Sequence, residues 1–516
     1  MKLDFARNTK RNMVAFAVSN GIRLLFPFLN RTLFLWLLGP EYLGLNGLVG
    51  SILGVLMLSE LGFGTAVVCS MYKPVADDDR ELICAYLGFY RSVYRRVGLA
   101  IFAVGLCLLP FLRVLVKGSV PPDVDLHVLY LIHLVNTSVS YFMFAYRGSV
   151  LGAHHRNDVI TNIRTAVSIA QYITVFLILL ITRNYYHYVI ATVVFTVAQN
   201  ILLVKASRRL FPDIEPRGNL SEEQRRRVMS DVKSIFMHKV GGVISYSTDN
   251  IVVSAFLGLV AVAAYGNYYY VVTSVSGITS IVYSSMLGGF GNKIHTETKE
   301  ENFALLMKTS RLSQMTVLWC AAMMTALYQP FISIWTKGDP ALVRHMLTSI
   351  LMVLYFYVNQ SRQMLITFKS AAGIWRQDRW KPIVAGVVNL VLNISFVLFL
   401  PEEYKLDGVI LSTIIGYVFI QIPWETHVVF TNFFNRIQAG KYWRFHAWSA
   451  MQALAMCAVT YWAVSCIALT GMPGLIAKGA AATIVSGGLL LALFRKDVLH
   501  MLPFRRKSLN TDNQQK

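Results

Sequence analysis

With 516 residues, 55% of them hydrophobic and only 15% charged, the chain carries more apolar surface than one water-soluble core can hide. Its formal net charge of +21 does not point to nucleic acid, because the basic residues stand between apolar runs and no polar domain exists to present a basic face. The cysteines Cys69, Cys84, Cys107, Cys320, Cys457 and Cys466 have neither metal-ligand spacing nor the pattern of a disulfide framework, and read as small buried hydrophobes.

Apolar runs of roughly 20 residues recur from end to end, and inside hydrocarbon a helix satisfies every backbone donor and acceptor within its own crossing. The expectation is an all-α integral membrane protein of about 14 transmembrane helices. The predicted spans cover residues 12–38, 43–70, 88–112, 126–146, 159–182, 186–205, 234–258, 264–290, 309–334, 341–368, 382–400, 406–431, 446–469 and 473–494. Lys2, Arg7, Lys10 and Arg11 precede the first run, which has no convincing small-residue cleavage site, so an uncleaved first span is expected. Most Lys and Arg fall on one side of the membrane; by the positive-inside rule that side is the cytoplasm and holds both termini.

The densest basic stretch, 205–239, holds Lys205, Arg208, Arg209, Arg217, Arg225, Arg226, Arg227, Lys233 and Lys239 and divides the chain near its middle. Within it Ser221 and Gln224 have the spacing of a capping box, which predicts a short cytoplasmic helix presenting Arg225, Arg226 and Arg227 at the membrane surface. Landmarks recur on either side of this stretch. Leu38-Gly39 and Leu257-Gly258 close spans one and seven, and Arg156-Asn157-Asp158 and Arg376-Gln377-Asp378 follow spans four and ten at nearly the same offset. Gly62-Phe63-Gly64 and Gly289-Phe290-Gly291 follow with a few residues' slippage.

The predicted organisation is therefore two pseudo-symmetric six-helix bundles, 1–206 and 234–432, joined by a basic cytoplasmic linker, 207–233. Two extra C-terminal helices, 13 and 14, occupy 433–496, and a cytoplasmic tail takes 497–516. Parallel repeats of this kind are an architecture of transporters, whose halves rock about a central cavity.

Local motifs carry a family likeness. The seventh span reads Tyr-Ser-Thr-Asp-Asn-Ile-Val-Val-Ser-Ala-Phe-Leu-Gly from Tyr246 to Gly258 and is followed by Tyr265-Gly266-Asn267-Tyr268. The second opens on Tyr42-Leu43-Gly44-Leu45-Asn46-Gly47-Leu48 and closes on Ser59-Glu60-Leu61-Gly62-Phe63-Gly64-Thr65-Ala66, before Met71-Tyr72-Lys73-Pro74. These segments resemble the Wzx-type O-antigen and capsule flippases of the multidrug/oligosaccharidyl-lipid/polysaccharide (MOP) exporter superfamily, with a loose match over spans one to twelve. The resemblance implies a cavity lined by helices one, two, seven and eight. It also implies a cargo, an undecaprenyl-diphosphate-linked oligosaccharide moved from the cytoplasmic to the periplasmic leaflet of a bacterial inner membrane for lipopolysaccharide or capsule synthesis. Membrane lipids and a polysaccharide polymerase are the implied partners.

Arg23 and Arg31 stand inside the first apolar run, where a lipid-facing charge costs roughly 2.5–3.5 kcal/mol even on the lenient insertion scale. At about 100° per residue they lie about 80° apart and can flank one aqueous chamber, with Pro27 between them predicting a kink. A diphosphate presents planar sets of acceptor oxygens that guanidinium forks meet in bidentate fashion, so both arginines are candidates for the headgroup; the alternative is that each ties a neighbouring helix. The repeat aligns Asn30-Arg31 with Asp249-Asn250, which suggests a charge-swap gate between Arg31 and Asp249.

Glu60 and Asp249 are the candidates for ion coupling, to protons or sodium, while Asn46, Asn267 and Gln360 can bond either sugar hydroxyls or a neighbouring helix. Arg311 and Arg362 are further charges near membrane depth. His154-His155 reads as a surface pair, and no residue set points to catalysis, a metal, a cofactor or nucleotide binding. The expected function is that of a flippase, not an enzyme. A peptidoglycan-precursor flippase and a drug or cation antiporter of the same superfamily stay open as alternatives, as does a membrane-bound glycosyltransferase or ligase.

Overall fold

In the computed structural model, residues 25–495 are described, apart from 61, 62, 119, 144 and 375. Among the described residues there is no strand, as a chain that must satisfy its backbone inside hydrocarbon requires. Each predicted span has its helix or helix pair. The first six are α1 (Leu25–Leu37), α2 with α3 (Pro40–Leu56, Phe63–Ala76), α4 (Arg80–Leu108), α5 (Leu126–Phe142), α7 (Asn157–Thr182) and α8 (Tyr185–Leu210), with a short α6 (Gly148–Ala153) before α7. The next six are α9 (Glu222–Leu257), α10 (Leu259–Thr296), α11 (Lys299–Trp335), α12 with α13 (Met346–Ser361, Gln363–Ala371), α14 (Lys381–Phe399) and α15 with α16 (Lys405–Ile415, Ile422–Asn432). Beyond the repeat lie α17 (Arg436–Ser465) and α18 (Gly471–Leu493), both packed on α11.

Seven described helices are long and apolar enough to cross a membrane by length and composition alone. Three of the spans are interrupted. A 3₁₀ turn, Met57–Glu60, follows α2; the tenth span breaks at Arg362; and a π-helical turn, Gly416–Gln421, divides α15 from α16.

Polar caps mark the ends that hydropathy leaves vague. Asn184 accepts hydrogen bonds from the backbone N–H groups of Tyr186 and His187 and so separates α7 from α8, while a capping box of Asn435 and Gln438 opens α17. The capping box of Ser221 and Gln224 forms as expected. The helix it opens is not a short one, however: α9 runs unbroken for 36 residues into the seventh span, because nothing between Arg225 and Asp249 removes a backbone N–H and the Gly241-Gly242 pair alone does not stop a helix.

The repeat extends to the backbone. Gly39 and Gly258, in the turns that follow spans one and seven, have φ 105°, ψ 175° and φ 89°, ψ 178°, a region that residues with a Cβ avoid. The Arg-X-Asp landmarks are also both structural. Asp158 is buried and paired with Arg156 at 3.0 Å, whereas Asp378, fully buried, takes Lys369 and Lys381, the latter at 3.2 Å. Lys381 also meets Glu425, which Arg362 reaches at 3.5 Å while donating to Gln421 and lying over the Tyr417 ring at 4.7 Å.

Two compact units emerge from packing. One comprises Met1–Gly266 with Pro382–Phe399, the other Asn267–Lys381 with Leu400–Lys516. The first thus takes in α9 and most of α14 as well as the opening helices, so its edge falls within α10 and not in the basic segment. Within it α2 packs on α9, and a Cβ at Gly44 would overlap the carbonyl of Leu259 at the start of α10.

Candidate polar site in the first unit

Arg31, Asn46, Asp249 and Gly266 each stand roughly eight residues from the glycine turns at Gly39 and Gly258, about 12 Å of helix, so they share one layer. Asp249 is 1% exposed, and a carboxylate that deep needs donors. Tyr265 of α10 gives it a hydroxyl at 3.0 Å, and Asn393 of α14 gives it an amide at 2.6 Å. Asn393 also donates to Asn389 at 3.3 Å, one turn away on the same helix. Beside Asp249, Asn250 donates to Ser51 of α2 at 2.9 Å, tying α9 to α2.

Arg31 is partly buried on α1, with its guanidinium laid against α10 at Gly266. A Cβ at Gly266 would come within 2.7 Å of Nη2, so the absence of a side chain there makes room for the cation. The neighbouring Asn30 donates to the hydroxyl of Tyr188 at 3.2 Å, and Phe34 sits edge-on between Tyr185 and Tyr188, at 5.4 and 4.9 Å between ring centres. Tyr185 completes the circuit by donating to Asn46 at 3.2 Å. A continuous set of polar and aromatic contacts thus links α1, α2 and α8, and a second links α2, α9, α10 and α14.

Arg31 and Asp249, the pair singled out by the repeat, therefore meet consecutive residues of α10: the Asp249 carboxylate holds the Tyr265 hydroxyl, and the Arg31 guanidinium covers Gly266. Asn46 joins the same layer through Tyr185. Asn267, fully buried, is the first residue of the second unit. Arg23 and the side chain of Glu60 lie outside the described residues. In the second unit Gln360 accepts from Thr279 and donates to Ser276, both at 2.8 Å, which makes it a tie between helices, and Arg362 is held in the buried charge network around Glu425. Among the described residues no group of three or more His, Cys, Asp or Glu side chains could hold a metal ion.

Sequence reading did not select Tyr185, Tyr188, Tyr265, Asn389 or Asn393. Asn389 and Asn393 had a signal, two amides one helical turn apart on an otherwise apolar span. Tyr265 stood only as part of the family-like motif Tyr265-Gly266-Asn267-Tyr268, and Tyr185 and Tyr188 had no signal beyond their composition.

The family model described as "Polysaccharide biosynthesis protein" matches residues 9–287, more than half of the chain. No protein of curated function matches the sequence. Among solved structures, the lipid II flippase MurJ in an inward closed conformation superposes with a TM-score of 0.68 at 13% identity, over 94% of this chain and 99% of its own. An inward-facing multidrug resistance MATE family transporter of the MOP superfamily gives 0.55 at 13% identity, over 86% and 98%. A eukaryotic MATE transporter gives 0.57 at 11% identity, over 85% and 98%. At these identities the likeness is one of fold alone.

Proposed function

Because the chain belongs to the polysaccharide biosynthesis protein family, we propose that it is a flippase that moves undecaprenyl-diphosphate-linked oligosaccharide repeat units from the cytoplasmic to the periplasmic leaflet of a bacterial inner membrane. It works by alternating access, supplies surface polysaccharide synthesis such as O-antigen or capsule, keeps both termini in the cytoplasm, and hands its cargo to a polysaccharide polymerase. It is a transporter and transforms no substrate. Support comes from the family, from the MOP fold, and from the meeting of Arg31 and Asp249 at Tyr265 and Gly266.

The chemistry follows from those groups. Arg31, with Arg23 on the same span, supplies guanidinium donors for the diphosphate, while Asn46 and Asn267 supply amides for sugar hydroxyls. Asp249, held by Tyr265 and by Asn393, which also donates to Asn389, is the coupling group: a proton or a sodium ion arriving there weakens its hold on Tyr265 and shifts the segment of α10 on which Arg31 rests. Glu60 is the second candidate for coupling. An anion leaving an inside-negative cell gains about 2.3 kcal/mol per charge per 100 mV, so a diphosphate cargo carries much of its own driving force.

A cation antiporter would place carboxylates where this layer has Arg31, whereas a peptidoglycan-precursor flippase would share the diphosphate chemistry, so cargo identity decides. Deleting the gene and locating the lipid-linked intermediates tests both. One oligosaccharide-diphosphate lipid accumulating in the cytoplasmic leaflet is the expected result; normal surface polysaccharide with arrested peptidoglycan would replace this reading with the precursor flippase.

A further inference from the structure

Away from Arg31 and Asp249, the first unit holds a cleft of about 780 Å³ between α4, the stretch that follows α8, and the start of α9. Among the described residues Arg91 and Arg96 of α4, Arg217 of the connecting stretch and Arg225 of α9 line it, against one acidic side chain, Glu222. Glu222 is already engaged with Arg225 at 3.5 Å. The nearby acidic residues of the connecting stretch are also taken: Asp213 by Arg80 at 3.0 Å, and Glu215 by the buried Arg147. The cleft therefore keeps an excess of positive charge.

Its walls are fixed. Arg147 donates to the carbonyl of Ile214, Gly88 and Gly218 bring α4 and the connecting stretch into contact, and Arg96 is steadied by Ser92 at 2.9 Å. Two guanidinium nitrogens, Nε of Arg91 and Nε of Arg225, have no hydrogen-bond partner in the protein, so both lining arginines keep donors that no protein acceptor takes.

Phosphate oxygens match four converging guanidinium groups. Part of the lining is apolar, with Phe63, Val97 and Met229 beside the arginines, and α4 continues directly into the exposed Leu99, Val104 and Leu106 of its span. A free ion would leave that apolar lining bare. We propose that this cleft is a binding site for a phosphate-bearing amphiphile, held with its headgroup among Arg91, Arg96, Arg217 and Arg225 and its chain along the apolar side, on the face of the membrane that carries the basic segments. The site is separate from the polar layer around Asp249 and does not depend on the transport reading. Its occupant is either a resident anionic phospholipid or the headgroup end of a polyprenyl-diphosphate lipid on its way in, the latter being the form that rests on that reading.

Native mass spectrometry of the full chain, freed from detergent after titration with phosphatidylglycerol, undecaprenyl diphosphate, phosphatidylcholine or sodium phosphate in separate series, tests the proposal. Saturable binding of about one molecule of phosphatidylglycerol or of undecaprenyl diphosphate per chain is expected, weakened about tenfold in Arg91→Gln/Arg225→Gln, with phosphatidylcholine bound no better than background. The Arg91→Lys/Arg225→Lys chain keeps the charge and serves as the folding control; it retains part of the affinity and an unchanged unfolding midpoint. Preference for phosphatidylglycerol identifies a resident lipid, and preference for undecaprenyl diphosphate a cargo entry point. Binding that never saturates, that ignores the glutamine substitutions, or that sodium phosphate matches at equal concentration overturns the site. The phosphatidylglycerol series involves no transport, so its outcome stands whatever becomes of the flippase reading.

Discussion

The guanidinium of Arg31 occupies the space that a side chain at residue 266 would take: a Cβ on Gly266 would lie 2.7 Å from Nη2. One residue earlier, Tyr265 holds the carboxylate of Asp249 at 3.0 Å. Two groups of opposite charge, on different helices, thus read adjacent positions of a third.

Gly266→Ala follows directly from that fit. The methyl group displaces the cation while adding helix propensity, up to about 1 kcal/mol in favour of alanine. Transport of the lipid-linked cargo in proteoliposomes is expected to fall about 10- to 100-fold with an unfolding midpoint equal to or above that of the unaltered chain. A midpoint that falls together with transport would mean that the glycine serves packing alone.

Asp249 is expected to respond differently. Asp249→Asn preserves size and the bond from Tyr265 but removes the charge, so transport should lose its dependence on an imposed proton or sodium gradient while cargo binding persists. Asn393→Ala, which strips away the amide at 2.6 Å, should shift the pH or sodium concentration at half-maximal transport. Gradient dependence that survives both substitutions would remove Asp249 from the coupling step.

The charge network of the second unit is expected to contribute to stability. Asp378 is fully buried between Lys369 and Lys381, so Asp378→Asn takes the carboxylate from the buried ammonium of Lys369 while Lys381 keeps Glu425, and is expected to cost about 3–5 kcal/mol. Reversible unfolding in mixed micelles measures it. Replacing Arg156, the partly exposed partner of Asp158, should cost less, because water reaches that side of the pair.

His154, in the turn between α6 and α7, supplies a pH prediction. Burial holds its imidazole below the ordinary value of 6.5, while its Nδ1 faces the Val150 carbonyl at 2.8 Å and its ring lies on Phe211. The unfolded chain therefore binds the proton more readily than the fold does, so stability is complete above pH 6.5 and declines as pH falls below it. Imidazole NMR shifts in nanodiscs should show His154 still neutral at a pH where histidine in a short unfolded peptide has begun to protonate.

Much of this architecture is written locally. Hydropathy locates every span, Asn184 and the Ser221–Gln224 box mark helix starts through side chains a few residues from the groups they cap, and Gly39 and Gly258 declare the repeat because both turns need a conformation that favours glycine. The site is legible only in part. Arg31 and Asp249 stand out because charge is expensive at their depth, but the donors to Asp249 come from Tyr265 and from Asn393, 144 residues away, and a single sequence does not announce that separation. The unbroken length of α9 escaped for a different reason: the basic segment is polar enough to read as a loop, and its helix is carried by the capping box and by continuity with the span. Tyr185 and Tyr188 look like ordinary interfacial aromatics until Phe34 and Asn30 are seen beside them.

The most direct test of the central claim is the rate at which purified protein in proteoliposomes exposes a fluorescent undecaprenyl-diphosphate oligosaccharide to an impermeant reagent, with Arg31→Gln measured in parallel. The account predicts rapid, saturable exposure in the unaltered chain and at least a tenfold loss in Arg31→Gln with the fold intact. Equal rates in the two, or exposure no faster than in empty liposomes, would contradict it.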